Sequence, residues 1–163
     1  MSRSLVSNTG PIIALSLIDR LDILQSLFES VIISEDVHKE LIEGGPSGRG
    51  LLTYQKASWI KVYPLASPID PLLTAVLDSG ETSVIQLARE TKADYILIDE
   101  RKARKIARDI FGLSVIGTAR VLVEAKSKGI LNGVGDILKQ LKEAGYWIHD
   151  DIVFYALKEA GEK

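Results

Sequence analysis

Five short apolar runs, each followed by helical periodicity, constrain this chain more than any other feature. Ser4–Asn8, Val31–Ile33, Trp59–Tyr63, Tyr95–Ile98 and Leu113–Ile116 read as strands. Helical patterns cover 12–18, 21–28, a segment starting at Ser34, 80–92, 100–111, 118–128, 134–144 and 150–160. Gly112, Gly129, Gly145 and Gly161 stand in helix-stop positions. Strands alternating with helices imply a mainly parallel sheet with helices on both faces. In such sheets ligands bind outside the carboxyl ends of the strands. Two strands end there on residues with chemical potential, Asn8 and Asp99.

The chain has 163 residues, 46% hydrophobic and 26% charged, which fits one globular domain. It has no cysteine, so disulfides, thiolate metal sites and cysteine nucleophiles are excluded. Its two histidines, His38 and His149, are too far apart in sequence to suggest a zinc site. No apolar stretch reaches membrane-span length and no signal segment opens the chain, so a cytoplasmic protein without membrane association is expected. The net charge of −2 means that any attraction to phosphates comes from local patches. Gly44 to Gly50 reads as a solvent loop between helices, with a substrate-gating loop as the alternative.

Four residues could gather at the strand ends. Asp99 closes an apolar strand and precedes a charged helix, so it suits either a helix N-cap or a metal ligand. Glu81 fits the third position of a capping box opened by Asp78, and also faces the strand tips. Glu40 sits at the edge of the apolar stripe formed by Val37 and Leu41, where it reaches either solvent or a polar cleft. Asn8 is a strand-end turn residue whose amide oxygen could still ligate Mg²⁺ without contributing charge. Carboxylates meeting there would repel one another unless a hard cation held them.

One helix carries a basic ridge, Arg101, Arg104, Lys105 and Arg108, beside a buried stripe of Ala103, Ile106, Ala107, Ile110 and Phe111. A solvated face is the plain explanation. Its start directly after Asp99 supports the other, an exposed ridge that binds RNA phosphates.

Taken together, these residues resemble the PIN-domain superfamily, and within it the short prokaryotic PIN-like proteins related to the VapC ribonuclease toxins. The resemblance spans nearly the whole chain. It rests on Ser7-Asn8-Thr9-Gly10-Pro11, on Val37-His38-Lys39-Glu40-Leu41, on the segment Asp78 to Ala88, on Ile96 to Arg104 and on Gly117-Thr118. It implies a three-layer α/β/α sandwich around a mainly parallel sheet. It also implies a catalytic metal site of Asn8, Glu40, Glu81 and Asp99, loaded with Mg²⁺ or Mn²⁺, that hydrolyses RNA phosphodiesters. Asn8 stands where the family usually has an aspartate, so activity is expected to be compromised. Toxin-like members usually form homodimers and bind a small antitoxin protein, so both are expected partners. The alternative is a non-catalytic PIN-fold module that binds RNA or protein. A phosphohydrolase acting on small molecules would need a nucleophilic aspartate on the first strand, where Asn8 stands.

Overall fold

The computed structural model describes residues 3–43 and 48–162. Its centre is a five-stranded sheet made of β1 (Ser4–Ser7), β2 (Ser30–Ser34), β3 (Ile60–Tyr63), β4 (Tyr95–Leu97) and β5 (Val115–Ile116). Every pairing is parallel and the order is β3-β2-β1-β4-β5. Neighbouring residues on a strand point to opposite faces. Leu5, Val6 and Ser7, like Val31 to Ser34, are all buried, so both faces of the sheet centre are covered. The expected fold class is therefore the observed one.

The ten helices of the described residues follow the strands in order. α1 (Thr9–Leu17) and α2 (Asp22–Leu27) connect β1 to β2, and α3 (Glu35–Glu43) and α4 (Gly48–Lys56) connect β2 to β3. α5 (Pro71–Val76) and α6 (Ser79–Thr91) return the chain to β4 on the other side of β1. α7 (Arg101–Asp109) leads to β5, and α8 (Thr118–Ser127), α9 (Val134–Glu143) and α10 (Asp150–Glu159) complete the chain. Chain direction across the sheet reverses between β1 and β4, which opens a crevice at their carboxyl ends. Asn8 and Asp99 follow those two strands. The expected solvent or gating loop falls mostly on residues 44–47, outside the described residues, and α4 already begins at Gly48.

No helix among the described residues is long and apolar enough to cross a membrane.

Candidate active site at the strand ends

Asn8 and Asp99 follow β1 and β4 at the carboxyl edge of the sheet, and Glu40, Glu81 and Asp99 fall into two groups, one reaching Thr9 and the other reaching Gly10 through Tyr146. Asn8 itself is tied down by its backbone: its N–H donates to Leu97 O at 2.9 Å, extending the β1–β4 ladder by one bond. Its side chain makes no capping bond to α1. The amide is therefore placed by the sheet rather than by a cap.

The first group is acidic. Ser34 Oγ meets Ser83 Oγ at 2.7 Å and pins the end of β2 to the first turn of α6. The same hydroxyl accepts from Val37 N–H at 3.1 Å, starting α3. These bonds bring Glu40 against Gly80, where a Cβ would overlap Glu40 Oε1 and lie 3.5 Å from Asp78 Oδ1. A side chain there would displace that carboxylate. Partial burial, then the charge of Asp78, push the Glu40 carboxyl above its ordinary range, while the nearby Thr9 hydroxyl favours the charged form. That hydroxyl is buried and forms no well-shaped hydrogen bond of its own. Thr9, Asp36, Lys39, Glu40, Glu43 and Ser79 border an open cleft of about 510 Å³.

Glu81 completes a capping box. Its N–H donates to Asp78 Oδ1 at 2.8 Å, and its own Oε1 accepts from Asp78 N–H at 3.3 Å. Burial raises the Glu81 carboxyl, the Asp78 amide opposes this, and the charges of Asp78 and Glu100 add to the rise. Its capping reading holds, and the charge of Glu100, at the start of α7, also acts on it.

Asp99 forms the second group. Its Oδ1 accepts from Thr118 N–H at 2.7 Å, and its Oδ2 accepts from the hydroxyls of Thr118 and Tyr146, each at 2.5 Å. The expected cap role of Asp99 is overturned. Glu100 caps α7 instead, accepting from Lys102 N–H at 2.8 Å. The Asp99 carboxylate is drawn away by Thr118 at the start of α8. Tyr146 is held protonated by burial and by the adjacent Asp99 charge, which raise its hydroxyl far above the usual range.

Arg104 also departs from expectation. Arg101, Lys105 and Arg108 are exposed, but Arg104 is half-buried and donates from Nη1 to Ile98 O at 2.8 Å. The guanidinium reaches back to the carbonyl just after β4, so the exposed ridge has three members. Burial lowers its pKa, and Asp99 works in the opposite direction. Ile110, expected in the buried stripe, is 55% exposed because the helix ends there and the chain turns away.

All these donors are oxygens, the chemistry that suits Mg²⁺ or Mn²⁺. Their arrangement does not fit an ion. Among the described residues, no group of three or more acidic or histidine side chains is placed to hold one. Asp99 is committed to three protein donors, and Glu81 is turned back to Asp78. Sequence reasoning did not select Thr9, Thr118 or Tyr146 as site residues. Thr118 carried a signal as part of the Gly117-Thr118 pair, whereas Tyr146 carried none near Asp99.

A family model described as a PIN domain, DUF3368, matches residues 4–162. Among solved structures, the chain is similar to a PilT N-terminus domain protein from the hyperthermophilic archaeon Sulfolobus solfataricus P2. The TM-score is 0.55 at 16% sequence identity, over 75% of this chain and 92% of that one. At that identity the likeness speaks to the fold. No curated protein matches the chain.

Proposed function

The chain belongs to the DUF3368 family of PIN domains, a superfamily of nucleases, and from that membership we propose that it is an endoribonuclease of the toxin-antitoxin type. The observation that supports this reading is that Asn8 and Asp99 follow the adjacent parallel strands β1 and β4, while Glu40 stands against Gly80 near Thr9, the residue after Asn8. PIN-domain nucleases typically use divalent metals, and Mg²⁺ or Mn²⁺ is the cofactor this reading assigns. Among the described residues the acids as arranged do not fit an ion. Glu40 and Glu81 carry carboxyls that burial and neighbouring acids make reluctant to ionise. An approaching cation or a rearrangement would relieve that reluctance. Thr118 and Tyr146 hold Asp99 in one orientation beside Arg104, and Arg101, Lys105 and Arg108 offer positive charge for the RNA backbone.

A second reading, a PIN-fold module that binds RNA or protein without cutting, is favoured by one observation: both Asp99 oxygens are taken by protein donors. A homodimer and a small antitoxin partner remain part of the first reading only.

One experiment separates them. Labelled single-stranded RNA is incubated with the protein in Mn²⁺ and, separately, in EDTA. Cleavage in Mn²⁺ that EDTA abolishes supports the nuclease. Retention of intact RNA under both conditions supports the binding module, and no retention of RNA removes RNA from both readings.

A further inference from the structure

A second cavity, of about 590 Å³, opens along the free edge of β5 behind Arg104. That volume lies in the range that small ligands fill. Three features of its lining match a nucleotide's base edge, its base face and its phosphate.

The first is an open strand edge. Ile96 N–H donates to Ser114 O and Ile98 N–H donates to Ile116 O, so β4 uses the backbone on either side of Val115. The Val115 N–H and C=O therefore face away from β4, a donor and an acceptor side by side on a residue that lines the cavity. The second is an apolar wall of Tyr95, Ile116 and Val123, which suits a flat base. The third is charge. Three arginines line the cavity against two glutamates, leaving one positive charge in excess. Arg3 is spent on Glu124 at 2.5 Å. Arg120 pairs with Glu159 at 3.1 Å, but both are largely exposed, so the pair is weak and exchangeable. Arg104 has no ion-pair partner within reach among the described residues and commits only Nη1 to the backbone. A peptide strand is a poor occupant, because β5 offers only two residues of edge.

The cavity adjoins the strand-end site at Gly117. A Cβ at Gly117 would lie 2.7 Å from Arg104 Nη1 and 3.0 Å from Asp99 Oδ1. One guanidinium and one bare Cα thus separate the two spaces.

We propose that this cavity is a subsite for a single nucleotide of the RNA, its base edge read by the Val115 backbone and its phosphate held between Arg104 and Arg120. The proposal rests on the RNA reading above and deepens it: a base reaching β5 is unpaired, so the substrate is single-stranded where it meets Asp99.

The test is an NMR titration of the ¹⁵N-labelled full chain with nucleoside monophosphates, with inorganic phosphate and with a short single-stranded RNA. The expected result is that nucleotide and RNA both shift the amides of Val115, Ile116, Gly117 and Val123, with phosphate binding at least about tenfold more weakly. Val123→Trp fills the cavity and Arg120→Glu reverses the charge at its mouth. Each should weaken nucleotide binding by about tenfold or more. Arg120 is a surface residue, so its variant reports even if the tryptophan disturbs folding. Phosphate binding as tightly as nucleotide overturns the nucleotide assignment. RNA binding that leaves these four amides unmoved overturns the subsite and keeps the RNA reading. Nucleotide binding here without any RNA binding keeps the pocket's ligand class and overturns its role in RNA recognition.

Discussion

The hydroxyl of Tyr146 donates to Asp99 Oδ2 at 2.5 Å, joining the segment after α9 to the end of β4 across 47 residues of sequence. The same ring packs on Gly10, where a Cβ would stand 3.0 Å from the hydroxyl. One side chain thus holds the floor of the strand-end crevice and occupies an oxygen of its best-placed acid.

Tyr146→Phe should therefore do two things. Losing a hydrogen bond to a carboxylate should cost about 1–3 kcal/mol in urea unfolding. Freeing Asp99 Oδ2 should also increase the rise in melting temperature that Mn²⁺ produces. An unaltered response to Mn²⁺ would show that Asp99 is a structural acid and not a ligand.

Gly80→Ala tests the acidic half. The added methyl meets the far end of a flexible side chain, Glu40, rather than backbone, so Glu40 should swing into the cleft. Stability should change by less than about 1 kcal/mol, because alanine is favoured over glycine in a helix. The Glu40 carboxyl, raised by burial and by Asp78, should return toward its ordinary value. Carboxyl ¹³C titration reads this directly. A Glu40 titration that does not move would mean that Gly80 is not what positions it.

These relationships mark where the sequence was legible and where it was not. Strands were legible because each is a local apolar run, and helix ends because Gly129 and Gly145 sit at φ +78 and +95, where side chains rarely go. The capping box of Asp78 and Glu81 was legible for the same reason: both halves lie within one turn. The cap alternative for Asp99 fails because its partners, Thr118 and Tyr146, are 19 and 47 residues away and leave no local signal. Helical spacing placed Arg104 on the basic face but could not tell that its long side chain reaches Ile98 O. α5, at six residues, is too short to show periodicity, although Asp70 and Pro71 form an ordinary helix start.

Glu162 gives a pH prediction away from the site. The Lys126 ammonium, at 2.7 Å, and the Val134 and Gly135 amides hold its carboxyl down at about 2, from an ordinary 4.5. A depressed folded-state pKa contributes stability that is complete above the unfolded value. It should be lost as pH falls from about 4.5 toward about 2. Glu162→Gln should lower stability at neutral pH and flatten its acid dependence over that window, measured by urea unfolding. The helix it caps, α9, leads into Tyr146, so loosening should reach the crevice. A variant with an unchanged acid slope would assign the effect to other carboxylates, of which Glu90 is the first candidate. Burial pushes Glu90 up, but bonds from Ala66, Ser67 and Gln86 outweigh it and hold it at about 2.

The exposed ridge can be separated from the buried arginine. Replacing Arg101 and Lys105 with alanine should weaken RNA binding and reduce its salt dependence, since fewer counterions are released. The fold should be unaffected, because both side chains are exposed. A salt slope equal to that of the parent would leave the ridge as a solvated helix face.

Asn8→Asp bears most directly on catalysis. The substitution keeps the side chain's size and adds an anionic oxygen at the end of β1, opposite Asp99 across the crevice. Without metal, the new carboxylate stands among acids that are already reluctant to ionise, so stability should fall slightly at neutral pH. Divalent ions should reverse that loss, because a ligand bound only by the folded state raises its stability. Mn²⁺ affinity should rise, and metal-dependent RNA cleavage should appear or increase. Adding Asp99→Asn should remove the gain in both, since the pair would again lack one charge. This second variant controls for indirect effects: if the gain survives it, the two positions do not share an ion. If Asn8→Asp neither binds Mn²⁺ more tightly nor cuts RNA, Asn8 is a turn residue placed by Leu97, and the fold serves here for binding without cleavage.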